Sequence, residues 1–117
     1  MRVTIYGIPN CDTVKKARTW MTNRGNTFDF HDFKKLGVPT NLLEDWADTV
    51  GWEQLLNKRG TTFRGLSEAD KMGIERGKAL RLMSAHSSLI KRPVVSDGQG
   101  RVTVGFSEDL FNACWCD

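Results

Sequence analysis

The first apolar positions of the chain follow strand periodicity and then change to helical spacing. Residues 2–8, RVTIYGI, are rich in β-branched and aromatic side chains, which predicts a strand that stops at Gly7–Asn10. An amphipathic helix of about three turns is predicted next, closed by Arg24–Gly25. Its apolar positions recur at helical spacing and are Val14, Ala17 and Met21.

The pattern returns to strand periodicity directly after this helix. In residues 26–33, NTFDFHDF, Phe28 and Phe30 alternate with polar side chains, as expected for a half-buried strand. A strand, a helix and a strand joined by short connections form a right-handed βαβ unit. We therefore expect the two strands to be parallel.

The middle of the chain has helical patterns. Pro39–Thr40–Asn41 opens a helix that Gly51 ends, and a shorter helix ends near Gly60. Residues 60–65, GTTFRG, are expected to be a loop, and further helical turns follow as far as about residue 86. The apolar positions that support these helices are Leu42, Leu43, Trp46, Ala47, Val50, Leu55, Leu56, Ala79, Leu80 and Met83. A capping box is predicted from the spacing of Ser67 and Asp70.

The C-terminal part returns to strands and ends in a helix. Residues 92–106, RPVVSDGQGRVTVGF, place two valine-rich runs around a glycine-containing turn, which predicts a hairpin. Ser107 is a candidate cap for a last helix that contains Leu110 and Phe111. The sequence ACWCD after it is expected to be a frayed end with idle thiols.

Together these elements predict a thioredoxin-like α/β fold. The order is β-α-β, a helical insert at about residues 39–86, and then β-β-α, with a mixed sheet. A length of 117 residues fits one domain with its own core, so we expect a single domain over residues 1–117.

Composition and charge restrict the function classes. No apolar run approaches the ~20 residues that cross a bilayer, so no membrane role is expected. A net charge of +3, with basic and acidic residues mixed, gives no reason to expect direct nucleic-acid binding. Three cysteines without a secretory leader are typical of a reduced compartment, and we expect a cytoplasmic protein.

Cys11 is the candidate nucleophile, because it lies between the first strand and the first helix. Unpaired N–H groups and the helix dipole favour a thiolate at such a turn. Asn10 is expected to supply a capping oxygen, and Lys15 a positive charge one helical turn further on. The alternative is that Cys11 is an ordinary small buried residue.

Three separated motifs resemble one known family. IYGIPNCDTVKKARTW, LLNKRGTTFRGL and SSLIKRPVV occur in the order seen in the ArsC/Spx family, within it the arsenate-reductase-like proteins of the YffB type. The resemblance runs from Arg2 to about Phe111. It implies a thioredoxin-like fold with a helical insert, a reactive cysteine at Cys11, and Arg92 before a cis-proline at Pro93, facing that cysteine.

The chain departs from the arsenate reductases at two positions. The resemblance places further oxyanion-binding arginines of those enzymes at Asn57 and Gly105, with Arg59 a possible substitute for the first. Because a tetrahedral oxyanion needs several convergent charged donors, arsenate reduction is the weaker expectation.

The second thiol of a redox cycle has to come from outside the first helix. Val14 occupies the position of a resolving cysteine, so Cys11 has no Cys-x-x-Cys partner. Glutathione or another small thiol is the expected co-substrate, with no tightly bound cofactor and no metal, and Cys114 or Cys116 is the intramolecular alternative. The residues expected to bind substrate or glutathione are Asn10, Thr13, Lys15, Arg59, Arg92 and Pro93.

Three functions therefore remain open. The first is a glutathione-dependent thiol reductase with Cys11 and Arg92 as catalytic residues. The second is an arsenate reductase that uses glutathione and glutaredoxin. The third, which the resemblance to Spx implies, is a regulator that binds RNA polymerase without catalysis.

Overall fold

The structure is a computed structural model that describes residues 2–116, so the predicted domain limits at residues 1 and 117 lie outside it. Its elements in chain order are β1 (Arg2–Gly7), α1 (Asp12–Asn23), β2 (Thr27–Asp32), α2 (Phe33–Leu36), α3 (Thr40–Val50), α4 (Trp52–Leu55), α5 (Thr61–Arg64), α6 (Glu68–Lys71), α7 (Arg76–Ala85), a 3-10 helix (Ser87–Leu89), β3 (Val94–Ser96), β4 (Val102–Val104) and α8 (Glu108–Trp115). They divide into two compact units. We call residues 2–37 with 92–116 the sheet unit and residues 38–91 the helical unit.

The sheet unit contains a mixed four-stranded sheet with the order β2-β1-β3-β4. β1 and β2 are parallel, with Tyr6 opposite His31, and β3 is antiparallel to both β1 and β4. This is the predicted α/β architecture, and the predicted hairpin and parallel pair are confirmed. Gly98 and Gly100 in the hairpin turn have positive φ, the backbone region that glycine enters without steric cost.

One apolar cluster holds the helices of the sheet unit on its strands. Its buried members are Val3, Ile5, Ala17, Trp20, Met21, Val95, Phe111 and Trp115. Fully burying a single side chain of the Val, Leu or Phe class contributes about 1.5–3 kcal/mol. The cluster therefore fixes α1 and α8 against β1 and β3, and with them the turn that carries Cys11.

The helical unit spans Val38–Lys91, slightly more than the predicted insert of 39–86. Its last segment is held by backbone bonds, because Asn57 N–H donates to Leu89 O and Lys91 N–H donates to Leu55 O, each at 2.7 Å. Half of the predicted capping box is present, since Ser67 Oγ accepts the Asp70 N–H at 3.1 Å. That both units belong to one domain stays a prediction.

Three short elements were not predicted. The second strand ends at Asp32, where the Asp32 carboxylate accepts the Lys34 N–H at 2.9 Å and starts α2. The expected loop at 60–65 contains the helical turn α5, so that prediction was wrong. The third is the 3-10 helix. Elements of three or four residues are too short to show an apolar period, which explains why the pattern missed them.

The expected fraying of the segment ACWCD is wrong for residues 113–115, and Asp117 lies outside the described residues. α8 continues to Trp115, whose side chain is fully buried. Trp115 Nε1 donates to Thr103 Oγ1 at 2.9 Å, and Arg101 Nη1 donates to the Cys114 carbonyl at 2.8 Å. These contacts to β4 and the residue before it hold α8 in place through Trp115. The predicted Ser107 cap of this helix is confirmed at 3.0 Å from the Leu110 N–H.

Candidate functional site

Cys11 is the N-cap residue of α1. Its backbone is extended, with φ −134° and ψ 124°, and its carbonyl accepts the Lys15 N–H at 2.9 Å. Its side chain is half-buried. The strand-to-helix turn that the sequence predicted therefore places the sulfur at the start of the helix, where backbone N–H groups have no intrahelical partner.

The surroundings of the sulfur lower its pKa. Partial burial is the largest single influence and raises the pKa of Cys11. The backbone N–H of Val14, the side chain and charge of Arg92 and the N–H of Thr13 act in the opposite direction and together outweigh burial. The net result is a Cys11 pKa below its ordinary value, which increases the thiolate fraction near neutral pH.

Arg92 reaches this site from the start of β3, the strand that pairs with β1 on the side opposite to β2. Val94, two residues later, pairs with Tyr6 near the end of β1, which brings the start of β3 to the turn. The predicted proximity of Arg92 to the Cys11 thiol is therefore confirmed. The resemblance implied a cis-proline at the next residue, and the Arg92–Pro93 peptide bond is cis.

The guanidinium of Arg92 is only partly satisfied. Within residues 2–116, its Nε and Nη1 atoms are buried and have no hydrogen-bond partner. Buried donors are normally paired, because leaving one unpaired costs about 1–3 kcal/mol, and more when the group is charged. The protein therefore compensates the charge of Arg92 only in part, which makes the region beside Cys11 the candidate site for a carboxylate or oxyanion.

Gly7 makes the close approach of these elements possible, whereas the sequence pattern predicted only that it ends a strand. A Cβ atom at Gly7 would lie 2.8 Å from Val14 Cγ2 and 3.9 Å from Arg92 Cβ. The first distance is too short for carbon atoms, so no other residue fits without movement of α1. A glycine at the end of a buried strand is the available signal for such an approach.

The remaining predicted binding residues have different placements. Thr13 is half-buried in the first turn of α1, while Asn10 is exposed in the turn before it. No side-chain hydrogen bond caps α1 in the described structure, so the predicted Asn10 cap is wrong. Asn10 does not cap the helix because Cys11 itself occupies the N-cap position. The Cys11 sulfur therefore faces the N–H groups that a capping oxygen would bind.

Lys15 and Arg59 are not among the groups that lower the Cys11 pKa. Among the described residues, Arg92 is the cation with that effect. Lys15 is exposed and lines a groove along α1. Arg59 lies in the helical unit between α4 and α5, where its N–H donates to Asn57 Oδ1 at 3.1 Å. Their predicted role in binding glutathione stays a prediction.

The two C-terminal cysteines lie at the other end of the sheet. Thr4 pairs with Ser96, so the hairpin turn lies at the end of β1 opposite to Cys11. Arg101, which follows that turn, binds the Cys114 carbonyl. Helix α8 therefore carries Cys114 and Cys116 away from Cys11, and all three cysteines are free thiols.

The two positions that depart from arsenate reductases are well defined. Gly105 has φ +83°, a conformation that residues with a side chain rarely adopt, and its N–H donates to Pro93 O at 2.8 Å. An arginine would be strained with this backbone. Asn57 uses its Oδ1 atom for the Arg59 N–H.

Comparison with known protein families identifies the family of this chain. The model of the ArsC family matches residues 6–114. The chain belongs to the ArsC family. A solved structure of the YffB (PA3664) protein has a TM-score of 0.92 and 46% identity, over 96% of this chain and 97% of that one. An arsenate reductase (ArsC) related protein from Brucella melitensis has a TM-score of 0.76 and 47% identity, over 97% and 93%.

Two curated relatives extend this comparison. An uncharacterized protein of Haemophilus influenzae is 37% identical, with 97% of this ArsC-family chain and 98% of the relative covered. The global transcriptional regulator Spx of Streptococcus mutans is 28% identical, with 95% and 81% covered. The resemblance to the ArsC/Spx family and to the YffB type is thus confirmed.

Residues 2–116 lack the features of two other kinds of site. No helix there is both long and apolar enough to span a membrane. Nor does that part of the chain bring three or more His, Cys, Asp or Glu side chains together as ligands for a metal ion.

Proposed function

We propose that this chain is a thiol-disulfide oxidoreductase that uses Cys11 as its nucleophile and glutathione as its second thiol. The observation that carries the proposal is the Cys11 sulfur itself. It faces the N–H groups of Val14 and Thr13 and the side chain of Arg92, and its pKa is lowered. The structural relatives with an arsenate-reductase-related description support the same class of chemistry.

The proposed reaction begins with attack on an oxidised sulfur. The Cys11 thiolate attacks one sulfur of a disulfide RSSR, the S–S bond breaks, and RS⁻ leaves and takes up a proton. Glutathione thiolate then attacks Cys11 Sγ in the mixed disulfide, releases the second RS⁻ and forms a Cys11–glutathione disulfide. A second glutathione releases Cys11. In total, one RSSR and two glutathione molecules give two RSH and one glutathione disulfide.

Arg92 has two roles in this proposal. Its charge favours the thiolate, and the same positive charge attracts a carboxylate of glutathione to the site. Asn10, Thr13 and Pro93 complete the binding surface, and Lys15 is proposed as a further cation for the second carboxylate.

The direct experiment follows reduction of a small disulfide by glutathione, coupled to glutathione reductase and NADPH. We expect turnover by the wild type, a Cys11–glutathione adduct in the mass spectrum, and loss of both in Cys11→Ser. A variant with Cys114→Ser and Cys116→Ser is the matched control and is expected to retain both. If the wild type forms no adduct and shows no turnover, glutathione is not its second thiol.

Arsenate reduction is the competing reaction within the family. We expect negligible arsenate turnover with glutathione and glutaredoxin, because Gly105 has positive φ and Asn57 carries no charge. The same assay with arsenate in place of the disulfide measures this. Turnover that Cys11→Ser abolishes would show that Arg59 or Arg64 replaces the missing arginines, and the thiol-reductase assignment would then be wrong.

The curated relative named global transcriptional regulator Spx favours a second candidate function. In this alternative the chain binds RNA polymerase and Cys11 has no catalytic role. Purified polymerase and immobilised protein distinguish the two functions. Binding that Cys11→Ser and Arg92→Ala leave unchanged, together with no glutathione turnover, would favour the regulator.

A further inference from the structure

A groove along α1 is separate from the Cys11–Arg92 pair. It has a volume of about 620 Å³ and belongs to the sheet unit. Its lining includes three cations, two aromatic side chains and one carboxylate: Lys15, Lys16, Arg24, Trp20, Phe106 and Glu108. The groove begins one helical turn from the candidate nucleophile, because Lys15 N–H donates to the Cys11 carbonyl. We refer to it as the α1 groove.

The cations of the α1 groove are not neutralised by the protein. Within residues 2–116, the salt bridges involve Arg2, Lys71 and Arg76, and none includes a groove cation. Lys15 and Lys16 are exposed. Three positive charges against the one carboxylate of Glu108 give the groove a net positive potential that favours an anionic partner.

Arg24 is held in position before any partner binds. Its guanidinium carbon lies 4.5 Å from the centre of the Trp20 ring, and its Nη2 atom donates to Asn112 Oδ1 at 3.0 Å. These contacts limit its rotamers, so less side-chain entropy is lost on binding. A guanidinium has five N–H donors, and the remaining donors suit a carboxylate.

The spacing of the cations indicates how a partner fits. Lys16 and Arg24 are separated by about 12 Å along the helix, at 1.5 Å per residue, and by about 80° around it. An extended chain covers that distance in about four residues. Phe106 is half-buried and offers apolar surface to the side chains between two carboxylates, whereas Trp20 is buried and its ring is covered by Arg24.

We propose that the α1 groove binds an acidic, extended peptide segment of a partner protein, with carboxylates about four residues apart. A nucleic acid fits less well, because a phosphate on each nucleotide would also face Glu108 and the exposed Asp12 at the start of the helix. An acidic peptide can place uncharged residues opposite Glu108 and Asp12. The binding needs no thiol, and Lys15 is the one groove cation that it shares with the proposed glutathione site.

Fluorescence anisotropy with a labelled peptide tests this in a Cys11→Ser background. The probe is a short unstructured peptide with glutamates four positions apart, and its control carries glutamines at the same positions. Lys16→Glu and Arg24→Glu alter the groove. Lys34→Glu makes the same charge change at an exposed position of α2, outside the groove lining, and is the matched control.

We expect the glutamate peptide to bind more tightly than the glutamine peptide and to weaken as salt rises. Each groove variant should weaken it about fivefold, while Lys34→Glu leaves it unchanged. Equal binding of the glutamine peptide, or equal weakening by Lys34→Glu, would overturn the proposal. Tighter binding of a single-stranded oligonucleotide of equal charge, sensitive to the groove variants, would assign the groove to nucleic acid instead.

Discussion

At the scale of single residues, the site depends on Gly7 as well as on the reactive groups. Val14 is fully buried at the first turn of α1, and its Cγ2 atom occupies the space that a side chain at Gly7 would need. Because Val14 is β-branched, it cannot rotate away easily. The distance between the end of β1 and the start of α1 is thus set by the absence of a Cβ atom.

Gly7→Ala is expected to destabilise the protein by about 1–3 kcal/mol, the usual cost of overpacking. Urea unfolding measures the change. The control is a double-mutant cycle with Val14→Ala, because removing the two γ carbons makes room for the new methyl group. We expect the double variant to be more stable than the sum of the single effects predicts, whereas strict additivity would contradict the packing argument.

At the scale of elements, the sequence predicted those with a long apolar period and a recognisable cap. α1 ends at Arg24–Gly25 as predicted, and Gly25 has positive φ. The end of α8 could not be predicted, because its order comes from Trp115, whose indole binds Thr103 on another element. The candidate site divides in the same way. The position of Cys11 in a strand-to-helix turn could be predicted from the sequence. The unpaired nitrogens of Arg92 could be found only in the packed structure.

Helix α8 leads to a prediction about the C-terminal thiols. Because Cys114 is held near Arg101 at the far end of the sheet, it cannot reach a mixed disulfide at Cys11 while α8 is folded. The variant with Cys114→Ser and Cys116→Ser should therefore release a Cys11 mixed disulfide at the wild-type rate, with or without glutathione. Mass spectrometry over time measures the release. A wild type that resolves the adduct without added thiol, when the double variant does not, would contradict this placement.

At the scale of the whole molecule, the Cys11 pKa is linked to folding. A group whose pKa is lowered in the folded protein stabilises it above the unfolded pKa, about 8.5 for cysteine, and this stabilisation is lost as pH falls through the folded pKa. The free energy of unfolding of the wild type, relative to Cys11→Ser, should therefore be larger at pH 9 than at pH 5. Urea unfolding with a reductant present measures it, and Cys114→Ser provides the control. A difference independent of pH would show that the folded protein does not favour the thiolate.

The central claim is that Arg92 and the start of α1 make Cys11 a thiolate nucleophile. The rate of iodoacetamide alkylation of Cys11 across pH tests it most directly, in a Cys114→Ser and Cys116→Ser background so that one thiol reacts. We expect an apparent Cys11 pKa below the ~8.5 of a free thiol and a higher pKa in Arg92→Ala. Arg18→Ala removes a positive charge from α1, the helix that follows Cys11, and should leave the Cys11 pKa unchanged. An unperturbed Cys11 pKa that Arg92→Ala leaves unchanged would contradict the claim.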